Sequence, residues 1–360
     1  MVTLKEIASE CNVSAATVSN VLNGKNKVSD ETRQKVLEVV RKRGYQPNYI
    51  AQGLRTQKTK IIGIIAEDIA QFTTPEIVEG IMSYCEEHGY RTIVKNLRLY
   101  ARWNDTWYGD EQAYHSILDP TLQEVVSLMV DGIIYIAGHA RIISCFPPDF
   151  ALPAVMAHAY AQNPKVPSVL VDDVYSAYEI VKYLISQGHR KIGVIGGRAD
   201  NIHTQRRLKG YQRALYEANI LFDPELVQYA RWEMEDAYEV VGKVLQPGVT
   251  AVFCMTDRMA GGVYRFLDEQ GMRVGKDVSV VGFDNQDIAG YFVPGLTTTA
   301  MPLMEIGTVS ARLLVEQIEN AENEEGKRQK EILIPCSFIQ RESVRAIQED
   351  AHSADTELIV

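Results

Sequence analysis

Disulfide and metal frameworks are absent from the pattern of this sequence. Its five cysteines (Cys11, Cys85, Cys145, Cys254, Cys336) stand far apart across 360 residues, with no Cys-x-x-Cys pair and no histidine at ligand spacing. Neither bridges nor a bound metal are therefore expected, and a reducing compartment fits. The amino terminus lacks the basic-then-apolar layout of a secretory signal, and no apolar run approaches the roughly 20 residues that span a bilayer. A soluble, cytoplasmic protein without a membrane partner is expected. Catalytic signatures are missing too: there is no Gly-x-Ser-x-Gly elbow and no Gly-x-x-x-x-Gly-Lys phosphate loop, and Ile195-Gly196-Gly197 lacks the spacing of a dinucleotide fingerprint. No cofactor and no enzymatic activity are expected.

What is present is unevenly charged. Residues 1–60 carry 11 Lys+Arg against 5 Asp+Glu, a balance of +6, which leaves −16 on the remainder of a chain whose net charge is −10. A basic segment on an acidic body is the footprint of a nucleic-acid-binding head, because phosphate neutralisation and counterion release drive such binding. A solvated basic face is the bland alternative. The length suits a small domain followed by a larger, two-lobed one.

Along the head, Leu4, Ile7 and Ala8 recur at helical spacing, and Cys11-Asn12-Val13-Ser14 makes a tight turn ending in a good N-cap. A second helix puts Ala15, Val18, Val21 and Leu22 on one stripe and Ala16, Thr17, Ser19, Asn20 and Asn23 on a small, polar face shaped to enter a groove. Ser29 caps a third helix, which ends at Arg41, Lys42, Arg43 and Gly44. From Gln46 to Arg55 one short helix is expected, with Pro47 at its start and Gly53 making it marginal unless DNA supports it. Beyond Lys60, short apolar runs (Ile61–Ile65, Arg91–Val94, Gly132–Ile136, Val169–Val171, Lys191–Ile195, Ala251–Cys254, Val278–Phe283) alternate with amphipathic helical stretches. That alternation predicts parallel α/β sheets in two lobes, with ligands at the carboxyl ends of the strands.

The motifs Thr3-Leu4-Lys5-Glu6-Ile7-Ala8, Val13-Ser14-x-x-Thr17-Val18-Ser19-Asn20-Val21-Leu22-Asn23, Val28-Ser29-x-x-Thr32-Arg33 and Gly44-Tyr45-x-Pro47-Asn48 closely resemble the lactose-repressor and purine-repressor family of bacterial transcription regulators. The resemblance continues through Gly188-His189-Arg190-Lys191-Ile192, Arg207-Leu208-Lys209-Gly210-Tyr211, Asp277 to Asn285, Leu296-Thr297-Thr298 and Arg341-Glu342-Ser343, so it spans about residues 2 to 343. It implies an α/β fold: a small all-α helix-turn-helix head on a two-lobed, periplasmic-binding-protein-like domain of doubly wound parallel sheets. The expected division is a head at 1–46, a hinge helix and linker at 47–60, and an effector and dimerisation domain at 61–343. One lobe takes about 61–161 and 293–324 and the other about 162–292 and 325–343, with a disordered tail at 344–360.

The same resemblance implies that Ala15, Ala16 and Asn20 face base edges in the major groove while Thr17, Ser19 and Asn23 hold phosphates. Asn offers the donor and acceptor that pair with adenine, whereas Ala touches a thymine methyl or leaves a base unread. Thr3, Lys27, Tyr45 and Asn48 join the DNA-binding set, and Leu54, followed by Arg55, matches the family's minor-groove wedge. Ordinary helix surface is the alternative for Thr17, Ser19 and Asn20, and packing between heads for Leu54.

For the effector, the matching positions are Phe72, Thr73, Thr74, His158, Arg207, Trp232, Thr256 and Asp284. Their chemistry suits a polyol: an indole face stacks on a sugar ring, Arg207 supplies a forked donor pair, and Asp284 accepts. Trp232 tilts the expectation toward a sugar or sugar derivative. Alternatives are a surface role for Trp232, a salt bridge between Arg207 and Asp284, and an ordinary strand-end role for His158; Thr256 departs from the amide common at its position. The segment Leu97 to Pro120 departs most, a long loop rich in aromatics (Tyr100, Trp103, Trp107, Tyr108, Tyr114) expected to fold over the cleft or to embellish a dimer surface. An exported sugar carrier would share the two lobes but not the head. A repressor of carbohydrate-utilisation genes is expected, a homodimer on double-stranded operator DNA. Its two-state switch is set by the cleft ligand, with induction favoured over corepression. No leucine heptads suggest a tetramer.

Overall fold

The computed structural model describes residues 2–22, 28–45, 58–104, 106–320 and 331–347. The chain divides into two units, Met1–Thr59 and Lys60–Val360. In the first, α1 (Leu4–Cys11), α2 (Ala15–Leu22) and α3 (Asp30–Arg43) bury Ile7, Ala8, Cys11, Val18, Val21 and Val36 against one another. With so small a core, the ends of the helices matter. Thr3 and Glu6 form a reciprocal capping box on α1, Ser14 accepts from the Thr17 N–H at 3.0 Å, and Ser29 caps α3. Asn12 and Gly44 close α1 and α3 in the left-handed region, at φ 55° and 60°.

The second unit begins with β1 (Ile61–Ala66), α4 (Thr74–Glu87), β2 (Arg91–Asn96), α5 (Leu99–Trp103), α6 (Glu111–Ser127), β3 (Gly132–Ile136) and β4 (Ile142–Ile143). It continues through β5 (Ala154–Ala157), β6 (Tyr160–Ala161), β7 (Ser168–Val171), α7 (Asp173–Ser186), β8 (Ile192–Gly196), α8 (Ile202–Glu217) and β9 (Val227–Tyr229). Then follow α9 (Met234–Val244), β10 (Ala251–Cys254), α10 (Asp257–Glu269), β11 (Ser279–Val281), α11 (Ile288–Tyr291), β12 (Thr298–Ala300), α12 (Leu303–Glu319), β13 (Glu331–Ile334) and β14 (Ser337–Ile339).

Two parallel sheets organise it, one ordered β13-β7-β5-β3-β1-β2 and the other β11-β10-β8-β9. Every residue of β1, β3, β5 and β8 is buried, as strands covered by helices on both faces must be. On the first sheet α4 and α12 approach so closely that a Cβ at Gly80 would lie 2.1 Å from the Met304 carbonyl oxygen, and one at Gly307 2.1 Å from that of Ile77. Only glycine permits that approach.

The lobe boundaries differ from those expected. Ser168–Val171 and Glu331–Ile334, assigned from sequence to the second lobe, instead complete the first lobe's sheet. Thr297 and Ala300, assigned to the first, bridge to Val281 and Asp284 of the second. Apolar strands look alike in sequence; which sheet they join is decided by long-range hydrogen bonding. The tail is also better ordered than expected at its start. Ile347 N–H donates to the Gln187 carbonyl at 2.7 Å and Arg345 N–H to Ser279 Oγ at 3.0 Å, which ties residues 344–347 to the second lobe.

The aromatic segment is not a long loop. Leu97 to Pro120 runs through α5, a 3-10 turn at Thr106–Gly109 and into α6, which contains Pro120. Trp107 and Tyr114 are core residues. Aromatic burial against the first sheet, not local propensity, orders this stretch.

Candidate functional site

On the head, α2 turns Val18 and Val21 inward and leaves Ala16 exposed, with Ala15, Thr17, Ser19 and Asn20 partly exposed. Ser14 Oγ and Thr17 Oγ1 lie 2.9 Å apart, so the Thr17 hydroxyl already has a local partner. Thr3 spends its side chain on the α1 cap. Tyr45 packs partly buried against the head core. Asn23, Lys27, Asn48, Leu54 and Arg55, together with the whole of the helix expected from Gln46 to Arg55, lie outside the described residues.

The second unit brings most of the expected effector positions to the carboxyl ends of the two sheets. On the first-lobe side, Thr73 Oγ1 donates to the Gly138 carbonyl at 3.1 Å, Thr74 is buried, and Phe72 is 40% exposed. His158 follows β5 in the left-handed region, at φ 63°, and its Nδ1 lies 3.3 Å from the Ala137 carbonyl oxygen. Burial, then the imidazole of His203 opposite, lowers its pKa to about 3, so it is neutral. A carbonyl only accepts, which places the proton on Nδ1 and leaves Nε2 a bare acceptor. Nε2 is buried without a hydrogen-bond partner among the described residues.

On the second-lobe side, Arg207 projects from α8, where Asn201 caps the helix by accepting from the His203 and Thr204 N–H groups. Its Nε donates to Asp173 Oδ1 at 2.8 Å, its Nη1 donates to the Met255 carbonyl, and Asp284 Oδ1 lies 3.5 Å from Nη1. The guanidinium also lies 3.6 Å from the centre of the Phe283 ring. The salt bridge foreseen between Arg207 and Asp284 therefore exists, but Asp173 is the nearer partner. Asp173 Oδ2 lies 2.7 Å from His203 Nδ1, and His203 Nε2 accepts from the Ala140 N–H at 2.9 Å. Ala140 belongs to the first lobe, so this bond crosses the cleft. Burial works to raise the Asp173 carboxyl, but His203 and Arg207 overcome it and hold the group at about 2. Asp284 and Asp257 move the other way: burial pushes both up, and Asp284 adds to the effect on Asp257.

Trp232 sits at φ 85° with its indole flat on the end of β8; a Cβ at Gly197 would be 2.1 Å from Cζ2. Thr256 is the N-cap of α10, its hydroxyl accepting from the Met259 N–H at 3.2 Å.

Sequence reasoning missed Asp173, His203, Glu67 and Arg141, whereas it had singled out the aromatic wall formed by Tyr100, Trp107 and Tyr108. Glu67, fully buried at the end of β1, accepts from the Tyr135 hydroxyl and the Gly138 N–H, each at 2.9 Å, and pairs with both prongs of Arg141. Arg141 in turn lies 4.4 Å from the centre of the Trp107 ring. Tyr100 and Tyr108 place their hydroxyls 2.9 and 3.1 Å from His139 Nδ1. The four-residue spacing of His203 and Arg207 on one helix face was the available signal; Glu67 and Arg141 offered none.

Residues 3–48 match the bacterial regulatory proteins of the lacI family, and residues 181–344 match the periplasmic binding protein-like domain. The ribose operon repressor of Haemophilus influenzae is 30% identical over 350 residues, covering 97% of this chain and 100% of that protein. The chain belongs to the lacI family. Its expected fold class is borne out, and so is its function as a helix-turn-helix transcription regulator with an effector-type domain. Among solved structures, the lac repressor dimer bound to operator and the anti-inducer ONPF shares the fold, with a TM-score of 0.77 at 24% identity, covering 96% of this chain and 99% of that one. The transcriptional regulator CelR in complex with cellobiose aligns with a TM-score of 0.62 at 25% identity, covering 95% of this chain and 100% of that one. Among the described residues no helix of this lacI-family chain is long and apolar enough to cross a membrane.

Proposed function

We propose that this lacI-family regulator is a non-catalytic, cytoplasmic, homodimeric repressor of carbohydrate-utilisation genes, released from its operator when a sugar or sugar derivative enters the cleft between its lobes. The observation that carries the reading is the polar network at the strand ends, where Asp173, His203, Arg207 and Asp284 converge and His203 reaches Ala140 across the lobes. Buried polar groups of this density are costly unless satisfied. A ligand that replaces the bond between the lobes changes their closure, which is the differential interaction a two-state switch needs. The ribose repressor and the CelR complex with cellobiose, as relatives, support a sugar.

In this reading Ala15, Ala16 and Asn20 read bases and Thr17, Ser19, Asn23 and Lys27 hold phosphates. Thr3, Tyr45, Asn48, Leu54 and Arg55 complete the DNA contacts. Phe72, Thr73, Thr74, His158, Arg207, Trp232 and Asp284 line the effector site, with Thr256 supporting it as a helix cap. The head is residues 1–46, the hinge 47–60 and the effector domain the residues that follow. The test is a selection of bound sequences from random DNA, followed by fluorescence anisotropy on the selected operator with sugars added. Loss of DNA affinity with one sugar, abolished by Asp284→Ala, is the expected result; sequence-independent DNA binding, or insensitivity to every sugar, counts against the reading.

A further inference from the structure

We infer that the cleft is built for an uncharged, polyhydroxylated effector and rejects phosphorylated ones. The inference rests on the reading of the cleft as an effector site and concerns the charge of what it takes. Its starting point is that Arg207 and Arg141, the arginines of the two networks described above, each already pair with a carboxylate. Arg207 is held by Asp173 with Asp284 beside it, and Arg141 is held by Glu67. Arg198, close enough to the first lobe to act electrostatically on Tyr108, forks onto Asp200 at 3.0 and 2.7 Å. Arg206 lies over the ring of Tyr160, 4.8 Å from its centre.

The imidazoles supply no cation either. Burial keeps His139 and His158 neutral. His203 has both ring nitrogens engaged, Nδ1 2.7 Å from Asp173 Oδ2 and Nε2 accepting the Ala140 N–H at 2.9 Å. His158 is the more informative. Its ring lies 5.4 Å from that of His203 in the other lobe, so it faces the cleft, and its unpartnered, buried Nε2 is an acceptor. Such an atom needs a donor, which a hydroxyl provides and a phosphate dianion does not. The Thr74 hydroxyl, at the start of α4, is also buried without a partner among the described residues. A phosphoryl group binds well where a guanidinium or ammonium is unspent. Here it would have to take Arg207 from Asp173 and leave that buried carboxylate to His203 alone among the described residues.

Inorganic phosphate tests the charge of the site without knowledge of the effector. Calorimetric titrations of the full chain, wild type against Arg207→Gln, are expected to show no phosphate binding that depends on Arg207. Asp173→Asn, which frees the guanidinium, is expected to gain at least about tenfold in phosphate affinity, the equivalent of 1.4 kcal/mol. Phosphate binding in the wild type that Arg207→Gln removes overturns the inference, and so does a folded Asp173→Asn protein with no gain. Where Arg207→Gln does not fold, Arg207→Lys, which keeps a cation without the fork, takes its place. Titrations of ribose and cellobiose, each against His158→Gln, fail separately from these: they test whether the cleft takes a neutral sugar at all, whereas the phosphate arms test how its cations are spent.

Discussion

The two lobes meet the same problem, a buried arginine at the end of a parallel sheet, and solve it differently. In the first, Glu67 and Arg141 are locked between Tyr135, the Gly138 N–H and the face of Trp107, so the pair serves as packing. In the second, Arg207 shares Asp173 with His203 and lies 3.5 Å from Asp284, and the network ends on a backbone group of the opposite lobe. The first arrangement has one state. The second has partners to exchange, which is what a ligand can bias. Buried ion pairs contribute little net stability in general, but breaking one by removing a partner is costly. The contrast therefore shows most clearly in variants that strip a single carboxylate.

The largest effect is expected from Asp173→Ala, which leaves Arg207 buried at 3% side-chain exposure with only Asp284 and a carbonyl near it. A loss of about 3–5 kcal/mol in urea unfolding is predicted. Glu67→Ala should cost less, because the Arg141 side chain is 19% exposed and can turn to water. Equal losses would mean that the lobes do not differ as described. Trp107→Ala should cost about 3 kcal/mol or more as a core deletion, with unchanged m-value. A loss below ~1 kcal/mol would show that the aromatic wall is surface, not core.

The acid limb of stability separates His158 from Asp173 by pH. His158 in the first lobe has its pKa lowered from 6.5 to about 3 by burial, so the unfolded chain binds the proton first. Stability is then lost as pH falls from 6.5 toward 3, by up to about 1.4 kcal/mol per pH unit. His158→Gln should flatten the curve over that window. Asp173 in the second lobe, lowered from 3.8 to about 2, contributes stability that is lost only below 3.8. Asp173→Asn should leave the limb above pH 4 unchanged in slope, and a change there would assign the acid sensitivity wrongly. The smallest effect is expected at Thr256→Ala, about 1 kcal/mol for a lost N-cap, with effector affinity changed less than by Asp284→Ala.

The legible features were those written in local pattern. The spacing of Leu4, Ile7 and Ala8 and the caps at Ser14 and Ser29 marked the three helices of the head, and alternating apolar runs marked both parallel sheets. Arg207, Asp284 and Trp232 were named through motif resemblance; Asp284 and Trp232 follow β11 and β9, and Arg207 reaches the Met255 carbonyl at the end of β10 from within α8. The aromatic segment misled because Trp107 and Tyr114 stand in a stretch interrupted by Asn104, Gly109 and Pro120, whose local preferences favour a loop.

By itself, then, the sequence determined the helix-turn-helix head, the α/β class of the body and the family, because periodicity, capping and motif spacing act over a few residues. Only the tertiary structure decided three other matters. It decided that Ser168–Val171 and Glu331–Ile334 join the first sheet, that Asp173 rather than Asp284 is the nearer partner of Arg207, and that His203 meets Ala140 across the lobes. Each of these depends on groups from 34 to 163 positions apart being brought together, where hydrogen bonding and desolvation select partners that no local pattern encodes.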